Sequence, residues 1–151
     1  MEVILYRAAD STDAWTGACF TPDQWAAESY RVGPFGDATG REVYTLATEA
    51  HTADARVLEV EDLEGLADAL ESHLDELAAD LAGMGVDGAQ MIRRIRGERQ
   101  VWNALESVNG VEEAIRWAGY SWLTYPDNTP AEKVTTTWRY YGATDLELEA
   151  L

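Results

Sequence analysis

Six leucines place the firmest constraint on how this chain can fold. Leu63, Leu66, Leu70, Leu74, Leu77 and Leu81 recur three and four residues apart, which puts them on one stripe of a helix. A helix this one-sided must lay that stripe against another surface. The two ends of the chain read as the source of that surface. Glu2 to Ala8 alternates as a strand, with Val3, Leu5 and Arg7 on one face and Ile4 and Tyr6 on the other. Tyr120 to Tyr125 and Val134 to Tyr141 are rich in β-branched and aromatic residues, and Leu146 and Leu148 alternate with glutamates. The pattern predicts an α+β fold, with N- and C-terminal strands sharing β-structure and Leu66, Leu70, Leu74 and Leu77 packed on it.

Between these anchors the remaining elements follow. Asp10 to Thr16 reads as a loop, and Gly17 to Phe20 is too short to classify alone. Thr21-Pro22-Asp23-Gln24 predicts a helix start: Thr21 as cap, Pro22 in the first turn and Gln24 completing a capping box. That helix carries Trp25, Ala26, Ser29 and Tyr30 and stops near Gly33-Pro34. Gly36 to Gly40 is a turn-rich loop, and Glu42 to Thr48 and Ala55 to Glu61 are β-rich. The leucine helix ends at Gly83, Ala89 to Ser107 is helical with an interruption at Gly97, and Val111 to Ala118 is a short helix. Pro126 to Pro130 reads as a turn. No repeat or low-complexity linker divides residues 1–151, so one domain is expected.

Charge narrows the partners. The chain has 28 acidic residues against 11 basic ones, a net charge of −17, and Lys133 as its one lysine. Such a surface repels nucleic-acid phosphates, so direct nucleic-acid binding is not expected. Adaptation to high salt, a GC-rich genome that replaces lysine by arginine, and mimicry of DNA toward a nucleic-acid-binding protein all account for the excess. No stretch approaches the roughly 20 apolar residues of a membrane span, and the N-terminus lacks a basic segment leading into an apolar run, so neither membrane anchorage nor a cleaved signal is expected. Cys19 is the single cysteine, which excludes an internal disulfide and a zinc cluster and favours a cytoplasmic setting.

Several local motifs have plain readings. Gly83-Met84-Gly85-Val86-Asp87-Gly88 matches G-x-G-x-x-G but follows a helix, the wrong context for a dinucleotide fingerprint, and reads as a helix–helix turn. His51 and His73 have no partner at ligand spacing and read as surface or packing residues. Arg93, Arg94, Arg96 and Arg99 form the basic cluster of an acidic chain, either a solvated helix face or a site for an anionic ligand or acidic partner face.

The two ends carry more. Leu5-Tyr6-Arg7 closes a strand, Gly17-Ala18-Cys19-Phe20-Thr21-Pro22 opens a helix containing Ala26, Ala27 and Tyr30, and Val43-Tyr44 lies in a later strand. This order resembles the N-terminal half of the ADP-ribosyltransferase-like fold of toxin and phage type. Ala118-Gly119-Tyr120-Ser121-Trp122-Leu123-Thr124-Tyr125 resembles that family's helix, Gly-Tyr and strand entry. Gly119-Tyr120, Asp127 and Thr136-Thr137-Trp138 follow the order of a phage branch, the anti-CRISPR proteins that ADP-ribosylate a CRISPR effector.

The resemblance implies a β-sheet core built from N- and C-terminal strands and NAD as cosubstrate, without a metal. It also implies transfer of ADP-ribose to a protein target in phage–host or toxin-type conflict, in the host cytoplasm where the chain is phage-encoded. Arg7 would bind the NAD phosphates or ribose, Thr21 would brace the site, and Tyr30 or Tyr44 would stack on the nicotinamide. The chemistry suits these residue types. A guanidinium binds phosphate oxygens in a planar, bidentate way and stays charged, and an aromatic ring offers a stacking face. Breaking the nicotinamide–ribose bond builds an oxocarbenium-like centre that needs a carboxylate beside it. The chain departs from the toxin-like branches in lacking Glu-x-Glu or Gln-x-Glu before its last strand. It offers Asp127, which matches the acidic turn of the anti-CRISPR branch, and Glu132, which matches the toxin type; Asp127 is the preferred acid. The reading from a different class is a non-catalytic acidic binding protein that blocks a nucleic-acid-binding target by charge.

Overall fold

The computed structural model describes residues 4–9, 13–14, 18–32, 42–47, 56–128, 134–143, 146–147 and 149–150. The expected loop at Gly36–Gly40, His51, Glu132 and Leu148 lie outside these residues. Five strands and a helix come first: β1 (Ile4–Ala9), β2 (Asp13–Ala14), β3 (Cys19–Phe20), α1 (Gln24–Val32), β4 (Glu42–Ala47) and β5 (Val57–Glu59). Five helices follow: α2 (Leu63–Glu71), α3 (Leu74–Gly83), α4 (Gly88–Arg96), α5 (Val101–Ser107) and α6 (Val111–Trp117). The chain then returns to strands: β6 (Trp122–Asn128), β7 (Val134–Tyr140), β8 (Leu146–Glu147) and β9 (Glu149–Ala150). Among the described residues the fold is therefore mixed α+β.

Strands from the two ends of the chain pair with one another, in three sheets rather than one. β3 pairs with β7, β4 with β9 and β2 with β8, all antiparallel. The largest sheet has the order β3-β7-β6-β5, and a second runs β1-β4-β9. β5 and β6 are parallel, with Val57 opposite Trp122 and Glu59 opposite Thr124. A parallel pair needs a long crossover, and α2 to α6 supply it.

Alternation along β6 divides the interior in two. Leu123 and Tyr125 face the helices and join a core with Leu58, Leu66, Leu70, Leu77, Leu81, Ile95 and Ile115. Trp122 faces the other way and packs with Leu5, Phe20, Tyr140 and Leu146. There the rings meet at angles: Trp122 lies 5.6 Å from Phe20 edge-on and 5.0 Å from Tyr140 in a tilted contact. Both faces of the large sheet are thus covered, which is why β6 reads as a nearly continuous apolar run.

Four expectations are corrected. The segment Asp10 to Thr16 is expected as a loop, yet Asp13 and Ala14 form β2, held in extended form by pairing with Glu147 and Leu146 of β8. The leucine stripe is two helices, broken at Ser72-His73. Ser72 Oγ donates to the Ala69 carbonyl at 2.6 Å, and His73 at φ −102°, ψ 3° steps out of the helix before Leu74 restarts it. Leu66, Leu70, Leu77 and Leu81 remain buried on both sides of the break. Thr21 does not cap α1, and Gln24 closes no capping box; Asp23 is the cap. Its carboxylate accepts from Trp25 N at 2.9 Å and Ala26 N at 3.2 Å, leaving Thr21 Oγ1 to accept from Asp23 N at 3.1 Å. The turn expected from Pro126 is strand as far as Asn128: β6 continues to that residue with Pro126 opposite Thr136. β5 ends beside Thr124, so Pro126 sits where no neighbour on that side requires its missing N–H. The Gly83–Gly88 segment is a helix–helix turn between α3 and α4, with Gly85 in the left-handed region at φ +79°.

Candidate active site

Strand β1 reaches the large sheet through one bridge. Tyr6 N donates to the Thr21 carbonyl at 2.8 Å, and Thr21 N returns the bond at 3.0 Å. The bridge sets Arg7 beside the start of the β3–α1 connection. Arg7 Nη1 donates to the Cys19 carbonyl at 3.0 Å, and its guanidinium carbon lies 5.9 Å from the centre of the Phe20 ring. Thr21 is buried, and its Oγ1 lies 3.3 Å from Thr135 Oγ1 on β7. Thr135 is directly opposite Asp127 on β6, and opposed residues project from the same face of a sheet. Thr21, Thr135 and Asp127 thus form a row across one face of the sheet, with β1 joined at its edge through the Tyr6–Thr21 bridge.

Of the residues the sequence singles out, Thr21 and Asp127 share a face with Thr135, whereas Arg7 meets the Cys19 carbonyl and the Phe20 ring on the other face. Tyr44 is opposite Arg7 in the β1–β4 register, and the backbone of Tyr30 lies in α1; the side chains of both tyrosines fall outside the described part. Asp127 lies in strand rather than in the expected turn. His73 packs, with Nε2 3.2 Å from Tyr120 Oη and Nδ1 3.6 Å from Glu76. Arg96 is drawn out of the basic cluster by α2, bonding Glu64 at 3.0 Å, Asp68 at 2.8 Å and Glu71 at 3.3 Å.

Behind the Thr135–Asp127 row sits a buried polar group the sequence reading missed. Arg139 is opposite both Cys19 and Leu123 in register, and its side chain is only 8% exposed. Its Nε is 3.6 Å from Glu112 and its Nη1 is 3.8 Å from Glu106. These are ion-pair distances, and Nε has no hydrogen-bond acceptor among the described residues. Burial alone would lower the guanidinium, but it is raised on balance by the ionisable groups around it, of which Glu112 carries charge at neutral pH. Burial pushes the Cys19 thiol up, against the pull of Arg139 and Arg7, with Asp127 and Glu106 adding to the rise. Burial likewise raises Tyr125 and Tyr141. Cys19 is therefore a protonated thiol at neutral pH, the wrong state for a nucleophile. The available signal for this cluster was alternation: Thr135, Thr137 and Arg139 share a face of β7, and an arginine on an inward face demands partners.

Asp127 also borders open space. A groove of about 470 Å³ opens at the carboxyl ends of β5 and β6. Pro126, Asp127 and Val134 form one wall, Arg96, Arg99, Gln100 and Val101 a second, and Glu61 to Glu64 the third. Crevices at the carboxyl ends of parallel strands are common ligand positions. The arrangement can hold anionic oxygens on Arg7, donate or accept through the two threonine hydroxyls, and stabilise positive charge with Asp127. Comparison with known protein families, curated proteins and solved structures returns no significant match.

Proposed function

We propose that this protein is an NAD-dependent ADP-ribosyltransferase acting on a protein target, of the toxin or phage anti-defence type. One observation carries the reading. Thr21 and Asp127 are far apart in sequence, yet the 3.3 Å Thr21–Thr135 contact and the Asp127–Thr135 register set them along one face of the sheet, and the Tyr6–Thr21 bridge joins β1, which carries Arg7, to its edge. These are among the residues the family resemblance selects.

The donor set suits a dinucleotide: a guanidinium for phosphate oxygens, paired hydroxyls for a ribose and a carboxylate for developing positive charge. NAD supplies an ADP-ribosyl group attached through a good leaving group, nicotinamide. Arg7, anchored on the Cys19 carbonyl, holds the phosphates. Thr21 and Thr135 fix the sugar end. Asp127 stabilises the charge that grows on the ribose as the nicotinamide bond breaks and the acceptor bond forms. Glu132, the other acid the sequence offers, stays an alternative in this reading.

Incubating the protein with labelled NAD and cell lysate tests the proposal. The expected result is a labelled protein band that survives removal of the enzyme, together with released nicotinamide. An unlabelled lysate and no NAD binding at millimolar concentration would overturn it in favour of a reversible, salt-sensitive acidic binder.

A further inference from the structure

The groove that Asp127 borders has a chemistry of its own beyond the NAD contacts given to Arg7, Thr21 and Asp127. Its apolar lining comes from Leu63, Val101, Pro126 and Val134, and Val134 is 66% exposed. Its carboxylates are Glu61, Asp62, Glu64 and Asp127, set against the guanidiniums of Arg96 and Arg99. Arg96 is already shared among Glu64, Asp68 and Glu71, so its charge is more than answered by α2. The excess of negative charge at the groove matches that of the whole chain, −17. An aliphatic stem ending in a cation is complementary to both parts, because lysine and arginine lay their methylenes on apolar surface while the charged head meets carboxylates.

We propose that this groove docks a basic, extended segment of a protein partner, seating a lysine or arginine side chain between Val134 and Glu61. The proposal goes beyond the transferase reading, since docking needs no NAD. Negative potential around a concave site also raises the encounter rate with a cationic partner and lowers it with an acidic one.

The test uses the full chain without NAD and a short fluorescent peptide alternating arginine with alanine, with its glutamate–alanine counterpart as control. Polarisation should show saturable binding of the arginine peptide alone. Glu61→Gln and Val134→Ser should each weaken it about fivefold. Asp80→Asn on the exposed face of α3 removes one charge outside the groove and should change binding less than about twofold. Val134→Ser separates docking from general charge attraction, because it alters no charge at an exposed position. Equal losses for Glu61→Gln and Asp80→Asn, an unaffected Val134→Ser, or no binding by the unmutated protein would each overturn the proposal. None of these outcomes depends on NAD turnover.

Discussion

Arg139, Cys19, Tyr125 and Tyr141 place ionisable groups where a sheet of this kind usually places aliphatic ones, and the protonation of that cluster is built into the stability of the fold. Burial raises the Cys19 thiol above its ordinary 9.0 and the Tyr125 and Tyr141 phenols above their ordinary 10.0. The unfolded chain gives up these protons at the ordinary values while the folded chain keeps them. The stabilisation is therefore complete below pH 9.0 and is lost as pH rises beyond the ordinary values toward the raised ones. Each group should contribute a fall of about 1.4 kcal/mol per pH unit once its unfolded form ionises. Urea unfolding measured between about pH 7 and 11 should show a level curve that then drops, and Cys19→Ala should remove the earliest part of the drop. A curve level to the alkaline end would contradict the buried cluster. Sequence reading singled out Arg7, Thr21 and Asp127, because each sits in a recognisable local motif. It missed Thr135 and Arg139, because their roles arise from β3–β7 and β6–β7 register between residues more than a hundred apart or across a hairpin.

At the scale of elements, the helical half was legible and its boundaries were less so. Leucine spacing placed α2 and α3 on the sheet, but the same stripe continues through Ser72-His73, so periodicity alone could not mark the break. Thr21 and Asp23 are both good caps, and only the distances to Trp25 N and Ala26 N decide between them. β3 has two residues and no pattern of its own; β7 makes it a strand. Gly119, which leads from α6 into β6, was read as part of a motif, and the structure gives it a physical task. Its φ is +93°, and a Cβ there would lie 2.7 Å from Arg56 Nη1. That guanidinium donates to the Ala118 carbonyl at 2.7 Å and lies over the Tyr120 ring at 4.6 Å. Gly119→Ala should destabilise the protein by about 1–2 kcal/mol from backbone strain, with a further loss as Arg56 is displaced. A chemical denaturation midpoint equal to that of the unmutated protein would show that the turn tolerates a side chain.

For the whole molecule, the strands before α2 and after α6 complete one another. Removing everything after Ala118 deletes the partners of β2, β3 and β5 and one of the two neighbours of β4, and takes Leu123, Tyr125 and Tyr141 from the helical core. A fragment of residues 1–118 should therefore show no cooperative thermal transition by circular dichroism, and a sharp one would mean the helices fold without the large sheet. The same closure makes the candidate site possible, since Arg7 and Thr21 come from one end of the chain and Thr135 and Asp127 from the other. The claim that these residues form one NAD site is tested most directly by the rate of nicotinamide release with and without the Asp127 carboxylate. Asp127→Asn keeps the side-chain size and removes the charge, so turnover should fall about a hundred- to a thousandfold, while NAD affinity changes far less because the carboxylate acts mainly in the transition state. Full nicotinamide release by Asp127→Asn, beside an equally active unmutated protein, would contradict the account.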